Sequence, residues 1–474
     1  MLIFGLKLKD INNMSNAKVV SFDQFPLFTY GCLTNVNSDK YYYSTDLGQI
    51  DASFPWKELV KYFEKRFSQS KAKAGRPRVF SIRTELALIL LKSVTGESDR
   101  VLMERLAQDW VYQRFARINL LDRYENYTIL SDIRERYAKY FNYKELQKIF
   151  AEHWSEYLRG IEGVLMDATV FKSNIRYPST VELLWDAIEW LHKKIEILSK
   201  LLNIRMIRSK YRDVERAYKW IITQKEPKRK QLRRVIGREL NLLNKYLKRF
   251  SDLLSKFEQG EKVLSWNERQ VYQTIKKVYQ QRQAQYEGKP VKNVILSLYK
   301  PYVRSIYRGK RSGKWEFGLK YHLFVLGEMV WIDHVSNENY NESKRLETVI
   351  REAEQYVGHR LKYAAADRIY ATRMNRKYLK SKGIEENFVP TGRPIQDPQR
   401  RKQQQLLKQA FNAARNSRME GVFGVLKEHY NTERVRVKRR EVEELVIFFA
   451  LMSYNSKKHS RWKREQKEKE KQAA

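Results

Sequence analysis

Lys314–Ser336 reads KWEFGLKYHLFVLGEMVWIDHVS. Trp315, Phe317, Leu319, Tyr321, Leu323 and Val325 alternate with mostly polar residues. A period of two is that of a strand with one buried face. Gly327 marks a turn, and 328–335 returns as the second arm of a hairpin. Upstream, GVLMDATVF at 163–171 is short, apolar and bounded by Gly163, which predicts a buried strand with Asp167 inside it. Downstream, NESKRLETVIREAEQYVG (341–358) predicts a helix closed by Gly358. LKYAAAD (361–367) is a strand ending in an acid, ATRMNRKYLKSKG a helix, and IEENFVP a fifth strand. A basic loop, TGRPIQDPQRRK, leads into a long helix that carries Glu420, and VEELVIFFALMSYN is an apolar helix for the core.

Around this frame the chain is helical. Residues 1–56 predict an irregular arm, with Met14 as an alternative start to Met1, and 57–158 an all-helical domain with a basic turn, KAKAGRPR, at 71–78. Residues 177–290 predict a Lys- and Arg-rich helical insertion between the strand at 163–171 and the hairpin, and 457–474 a basic mobile tail. Setting the insertion aside, 159–176 and 291–456 form one α/β domain: a mixed five-stranded sheet with flanking helices.

The chain has 474 residues, 93 Lys plus Arg against 55 Asp plus Glu, and a formal charge of +38. Such an excess repels itself unless a polyanion is near, and nucleic acid is the leading partner because each neutralised phosphate releases counterions. No apolar run approaches a membrane span, and no secretory leader precedes the first helix. One cysteine, Cys32, and seven histidines exclude an intramolecular disulfide framework and disfavour a zinc cluster.

Three acids take telling places: Asp167 within the first strand, Asp367 at the end of a later one, and Glu420 on the helix after the last. A carboxylate in a buried strand is costly without a partner, and several held together call for a divalent cation. Oxygen ligands point to Mg²⁺ or Mn²⁺. Each acid also has a plainer role open to it. Asp167 could pair with Lys172 or Arg176, Asp367 could cap a turn, and Ser417-x-x-Glu420 fits a capping box at a helix start.

MDATV, YAAADRIYATRMNRKYLKSKGI…PTGRP and RNSRMEGVFGVLKEHY resemble the three acidic motifs of DDE transposases of bacterial insertion sequences, whose catalytic domain is RNase H-like. SLYKPYVRSIYRGKRSGKWEFGLKYHLFV and NYNES resemble the segment before the second acid. The resemblance implies an RNase H-like catalytic domain, with Asp167, Asp367 and Glu420 as a triad holding two Mg²⁺, for which Mn²⁺ substitutes. It implies DNA contacts at Lys427 and at Arg415, Arg418, Arg368 and Lys172. The family's Tyr and Arg seven and four residues before the Glu are Ala413 and Asn416 here, and Arg415 is the nearest substitute. The implied activity is cleavage at the ends of an element and transfer of the 3′-OH to target DNA. A homodimer on double-stranded DNA, in the bacterial cytoplasm and associated with the nucleoid, is expected. A nuclease that does not join, or an idle DNA-binding descendant, is the alternative.

Overall fold

The computed structural model describes residues 2–3, 6–7, 36–69, 78–118, 126–258, 260–310, 313–391 and 396–473. Cys32, Met14 and most of the basic turn at 71–78 lie outside them. Two short strands, β1 (Leu2–Ile3) and β2 (Leu6–Lys7), pair antiparallel near the N-terminus. Among the described residues nine helices precede the sheet: α1 (Val36–Ser44), α2 (Asp46–Ser53), α3 (Trp56–Gln69), α4 (Ile82–Thr95), α5 (Asp99–Gln108), α6 (Trp110–Ala116), α7 (Ile129–Ala138), α8 (Tyr143–His153) and α9 (Ser155–Leu158). The expectation of an irregular arm to residue 56 fails over 36–53. The Thr45 side chain caps α2 by accepting from the Gly48 amide, and Tyr42 and Ile50 are fully buried. Local period is weak in so short a helix, and burial against later elements supplies what the sequence pattern lacks.

Strand β3 (Gly163–Ser173) enters next. Helices α10 (Thr180–Leu201), α11 (Tyr211–Ile222), α12 (Arg229–Leu254) and α13 (Trp266–Tyr286) follow and bury their apolar stripes against one another. This core is separate from the main one. Trp185 stacks on Tyr218 within it, with centroids 4.9 Å apart.

The chain then returns through β4 (Arg304–Lys310), β5 (Gly313–Leu326), β6 (Met329–Ser336), α14 (Leu346–Val357), β7 (Tyr363–Ala365), α15 (Arg373–Lys382), β8 (Glu385–Glu386), α16 (Pro398–His429), β9 (Arg434–Val435) and α17 (Arg440–Ala473). The sheet runs β4-β5-β3-β7-β8, with β6 on β5 and β9 on β3. β3 is antiparallel to β5 and parallel to β7 and β9. Among the described residues the sheet is mixed, as the sequence predicts, but has seven strands rather than five. The additions are β4, whose basic, glycine-containing sequence lacks alternation, and the two-residue β9.

One core joins the sheet to the N-terminal helices. Trp154 of α8's C-terminal end meets Trp331 of β6 edge-on at 5.9 Å, and Phe150 meets Phe448 of α17 at 5.9 Å. The expected mobile tail is helical through residue 473, as part of α17. His459 is buried there, its Nδ1 2.7 Å from Ser53 Oγ, and burial pushes its pKa down to about 3. The first turns of the tail dock on α2 through Lys457 on Asp46 and Arg464 on Gln49, while 467–473 are exposed.

Candidate active site

Asp167 sits in the middle of β3, opposite Leu323 of β5. Its Oδ1 accepts from the Ala168 amide at 2.8 Å, and its Oδ2 accepts from Arg415 Nη2 of α16 at 2.6 Å. The plainer pairings considered for it are taken elsewhere. Lys172 pairs with Glu433, and Arg176 pairs with Glu182 and Asp186. Burial pushes the Asp167 carboxyl above its ordinary value; Arg415 and the Ala168 amide oppose this, and the charges of Glu342 and Asp367 add to it. The charges that act on Asp167 are thus one cation, Arg415, and two further acids, Glu342 and Asp367.

The second acid arrives by register. β7 pairs parallel with β3 from Gly163↔Tyr363 to Leu165↔Ala365. Two residues further along each chain stand Asp167 and Asp367. Asp367 also does what the plainer reading expected, accepting from the Arg368 amide at 2.6 Å to cap a 3-10 turn, Arg368–Tyr370. Its approach is fixed by Asn387, which accepts from the Ala366 amide at 3.0 Å and donates to the Ala366 carbonyl at 2.9 Å. The same amide group reaches Asn412 Oδ1 of α16 at 2.7 Å.

A buried relay holds the far end of that turn. The Tyr370 hydroxyl lies 2.5 Å from His322 Nε2, and His322 Nδ1 lies 2.8 Å from Asp333 Oδ2. Arg345 donates to both Asp333 oxygens, at 2.8 and 2.7 Å. Burial alone would raise Asp333, but the hydrogen bonds from Arg345 and His322 hold it at about 2. Asn375 Nδ2 donates to the carbonyls of Ser343 and Tyr370, both at 2.8 Å, and so straps the two 3-10 turns, Glu342–Arg345 and Arg368–Tyr370, together. Sequence reasoning missed Glu342, His322, Asp333, Tyr370 and Asn387. The one available signal was a lone His and Asp within strongly apolar strands, where an ionisable group needs a partner.

Glu420 is placed differently. α16 starts at Pro398, with Asp397 accepting from the Gln399 amide at 2.9 Å, so Ser417 is deep inside a continuous helix. The capping-box reading of Ser417 and Glu420 therefore fails: the backbone there is already paired within the helix. Met419, Val422 and Leu426 face the core, and Glu420 is exposed. It follows Arg415 by five residues, about 140° round the helix. With Arg415 on Asp167, Glu420 is turned away. Among the described residues no three acidic, His or Cys side chains are gathered closely enough to hold a metal ion. Of the expected DNA contacts, Arg368 and Arg418 are exposed, Lys172 and Lys427 are half-buried, and Arg415 is the counter-ion of Asp167. Arg418 lines a cleft of about 820 Å³ between α2, α16 and α17, together with Lys457, Lys458 and Arg461. No helix of the described residues is long and apolar enough to cross a membrane.

Two family models match the chain. One is described as a transposase DDE domain and covers residues 290–456, which include Asp367 and Glu420. The other is described as a transposase domain (DUF772) and covers 38–136. No curated protein and no solved structure matches the chain. With the DDE match spanning most of the sheet and the second match on the helices that share its core, the chain belongs to the DDE transposases of insertion sequences.

Proposed function

We propose that this protein binds the terminal inverted repeats of its element, hydrolyses the phosphodiester at each end and transfers the freed 3′-OH to target DNA. The observation that supports this reading is the parallel β3–β7 register, whose last pair, Leu165↔Ala365, lies two residues before each of Asp167 and Asp367. Family membership implies transposition chemistry, and divalent cations are typical of the family. The donor chemistry here suits them. Asp167 and Asp367 offer hard oxygens, and burial of the Asp167 carboxyl, which pushes its pKa up, makes a cationic partner there favourable. These two residues, with Glu420 as a third, would hold two Mg²⁺ or Mn²⁺. Bound there, such ions activate the attacking water or hydroxyl and stabilise the leaving oxygen.

The chain's own residues do the rest. Asn387 and the Tyr370–His322 contact fix the turn bearing Asp367. Arg415 neutralises Asp167 until DNA phosphates compete for its guanidinium. Lys427, two turns on, shares the face of Glu420 and serves the phosphate near the cut. Exposed cations, Arg368 and Arg418 among them, bind backbone, and two copies bridge a pair of ends.

The second reading is an idle DNA-binding protein, favoured by the exposure of Glu420 alone. A cleavage assay on an end-labelled duplex with Mg²⁺ separates the two. The transposase cuts and joins, and Asp167→Ala abolishes both while binding survives. Cutting without joining leaves a nuclease. No difference between wild type and variant leaves a binder.

A further inference from the structure

We propose that the ribbon formed by β4 and the start of β5 is a second DNA contact, seated in a groove of the element's terminal duplex about eight base pairs from the cut. This rests on the DNA-cleaving reading above.

The sheet gives the ribbon its form. β3 pairs with β5 only as far as Lys172↔Gly318, whereas β4 and β5 stay paired to Tyr307↔Trp315 and, past a register shift, pair again at Lys310↔Gly313. Beyond Gly318 the two strands therefore run on without β3. A free two-stranded ribbon is one of the two elements that fit the major groove.

Its side chains are unusual for a strand that leaves its core. Tyr307 and Trp315 stand directly opposite each other, with ring centroids 5.1 Å apart and planes at 65°. Tyr307 is 53% exposed and Trp315 51%. At the root of the ribbon Tyr177, 73% exposed, meets Phe317 edge-on at 5.7 Å. Three large rings are thus spent on water. Residues 304–310 and 313–317 carry four cations, Arg304, Arg308, Lys310 and Lys314, against the single acid Glu316. Arg304 is used within the fold, donating to the Val303 carbonyl at 3.0 Å. A ring pair on a ribbon whose sequence is rich in Lys and Arg suits a groove, where base edges lie between phosphates.

The placement follows from register. Leu323 opposes Asp167, and the β3 and β4 pairings of β5 are each continuous between Leu323 and Trp315. Eight residues is an even number, so Trp315 projects on the same face of β5 as Leu323, the face that carries Asp167. At about 3.3 Å per residue the two are roughly 26 Å apart along the strand. At about 3.4 Å per base pair that is close to eight base pairs.

The test uses the full chain and a duplex carrying the terminal repeat that flanks the gene. Tyr307→Ala/Trp315→Ala removes the rings, and Arg308→Ser/Lys310→Ser/Lys314→Ser removes the charge. Binding is measured across a salt series, with a hydroxyl-radical footprint. The ring variant is expected to bind about tenfold more weakly and to lose protection near the eighth base pair. The charge variant is expected to flatten the log–log salt slope by roughly 2–3. If wild type binds and cuts while both variants match it in affinity, slope and footprint, the ribbon assignment is overturned and the transposase reading stands. If wild type neither binds nor cuts the duplex, both are overturned.

Discussion

Replacing Arg415 by Gln is expected to tighten the binding of Mn²⁺ to the DNA-free protein. The guanidinium donates to Asp167 at 2.6 Å, and the two side chains are only 15% and 22% exposed. A charge-assisted hydrogen bond in such a setting is worth about 1.5–3 kcal/mol. A divalent ion binding to Asp167 has to displace it. At about 1.4 kcal/mol per tenfold, its removal predicts roughly 10- to 100-fold tighter binding, and residual hydration favours the lower end. The pH dependence has a definite sign. Without Arg415, burial and the charges of Glu342 and Asp367 act on Asp167 with less opposition, and its pKa rises further. Protons then compete more strongly, so the advantage of the variant shrinks as the solution is made acidic. Titration of Mn²⁺ followed by electron paramagnetic resonance, at neutral and acidic pH, reads both effects. Equal or weaker Mn²⁺ binding by Arg415→Gln at neutral pH would show that Arg415 does not compete for the acid, and the reasoning fails.

Other substitutions probe the surrounding structure. Tyr370→Phe leaves buried His322 Nε2 without its partner, at a cost of roughly 1–3 kcal/mol, and frees the turn bearing Asp367. Chemical denaturation should show the loss, and Mn²⁺ affinity should fall with it. Unchanged affinity would separate the relay from the acid. Glu239 of α12 is fully buried, neither carboxyl oxygen has a hydrogen-bond partner, and burial pushes its pKa from 4.5 to about 9. The folded state therefore keeps a proton that the unfolded chain loses. Stability falls by up to about 1.4 kcal/mol per pH unit as pH rises between those two values, then levels off. Glu239→Gln should remove that slope in urea unfolding of the full chain, and an unaltered slope would mean that Glu239 is already ionised. At Gly318 an added Cβ would lie 2.1 Å from the Phe171 carbonyl oxygen, where β5 crosses β3. Gly318→Ala should cost at least about 1–3 kcal/mol, and a variant as stable as wild type would contradict the close approach.

The legible parts of the site were those written in a local pattern. Asp167 stands out because an acid interrupts an apolar strand, and Asp367 because a short strand ends on it. The relay behind Asp367 was not legible, since His322, Asp333 and Arg345 come from two strands and a turn whose periods say nothing of one another. The same holds for Asn387, which looks like an ordinary loop residue until its amide is found on the Ala366 backbone.

The sequence by itself determined the β5–β6 hairpin, the buried strand around Asp167 and the strong positive charge, because alternation, apolar runs and net charge belong to a segment or to the chain whatever its neighbours do. Tertiary structure alone decided that Asp167 takes Arg415 rather than Lys172 or Arg176, that residues 36–53 and the first turns of the tail are docked helices, and that Ser417 is no cap. It also turned Glu420 to the solvent. Each of these outcomes depends on which face of a helix is buried. That choice is made by shape and apolar area gathered from distant parts of the chain, and one helical turn more or less exchanges a core position for a wet one.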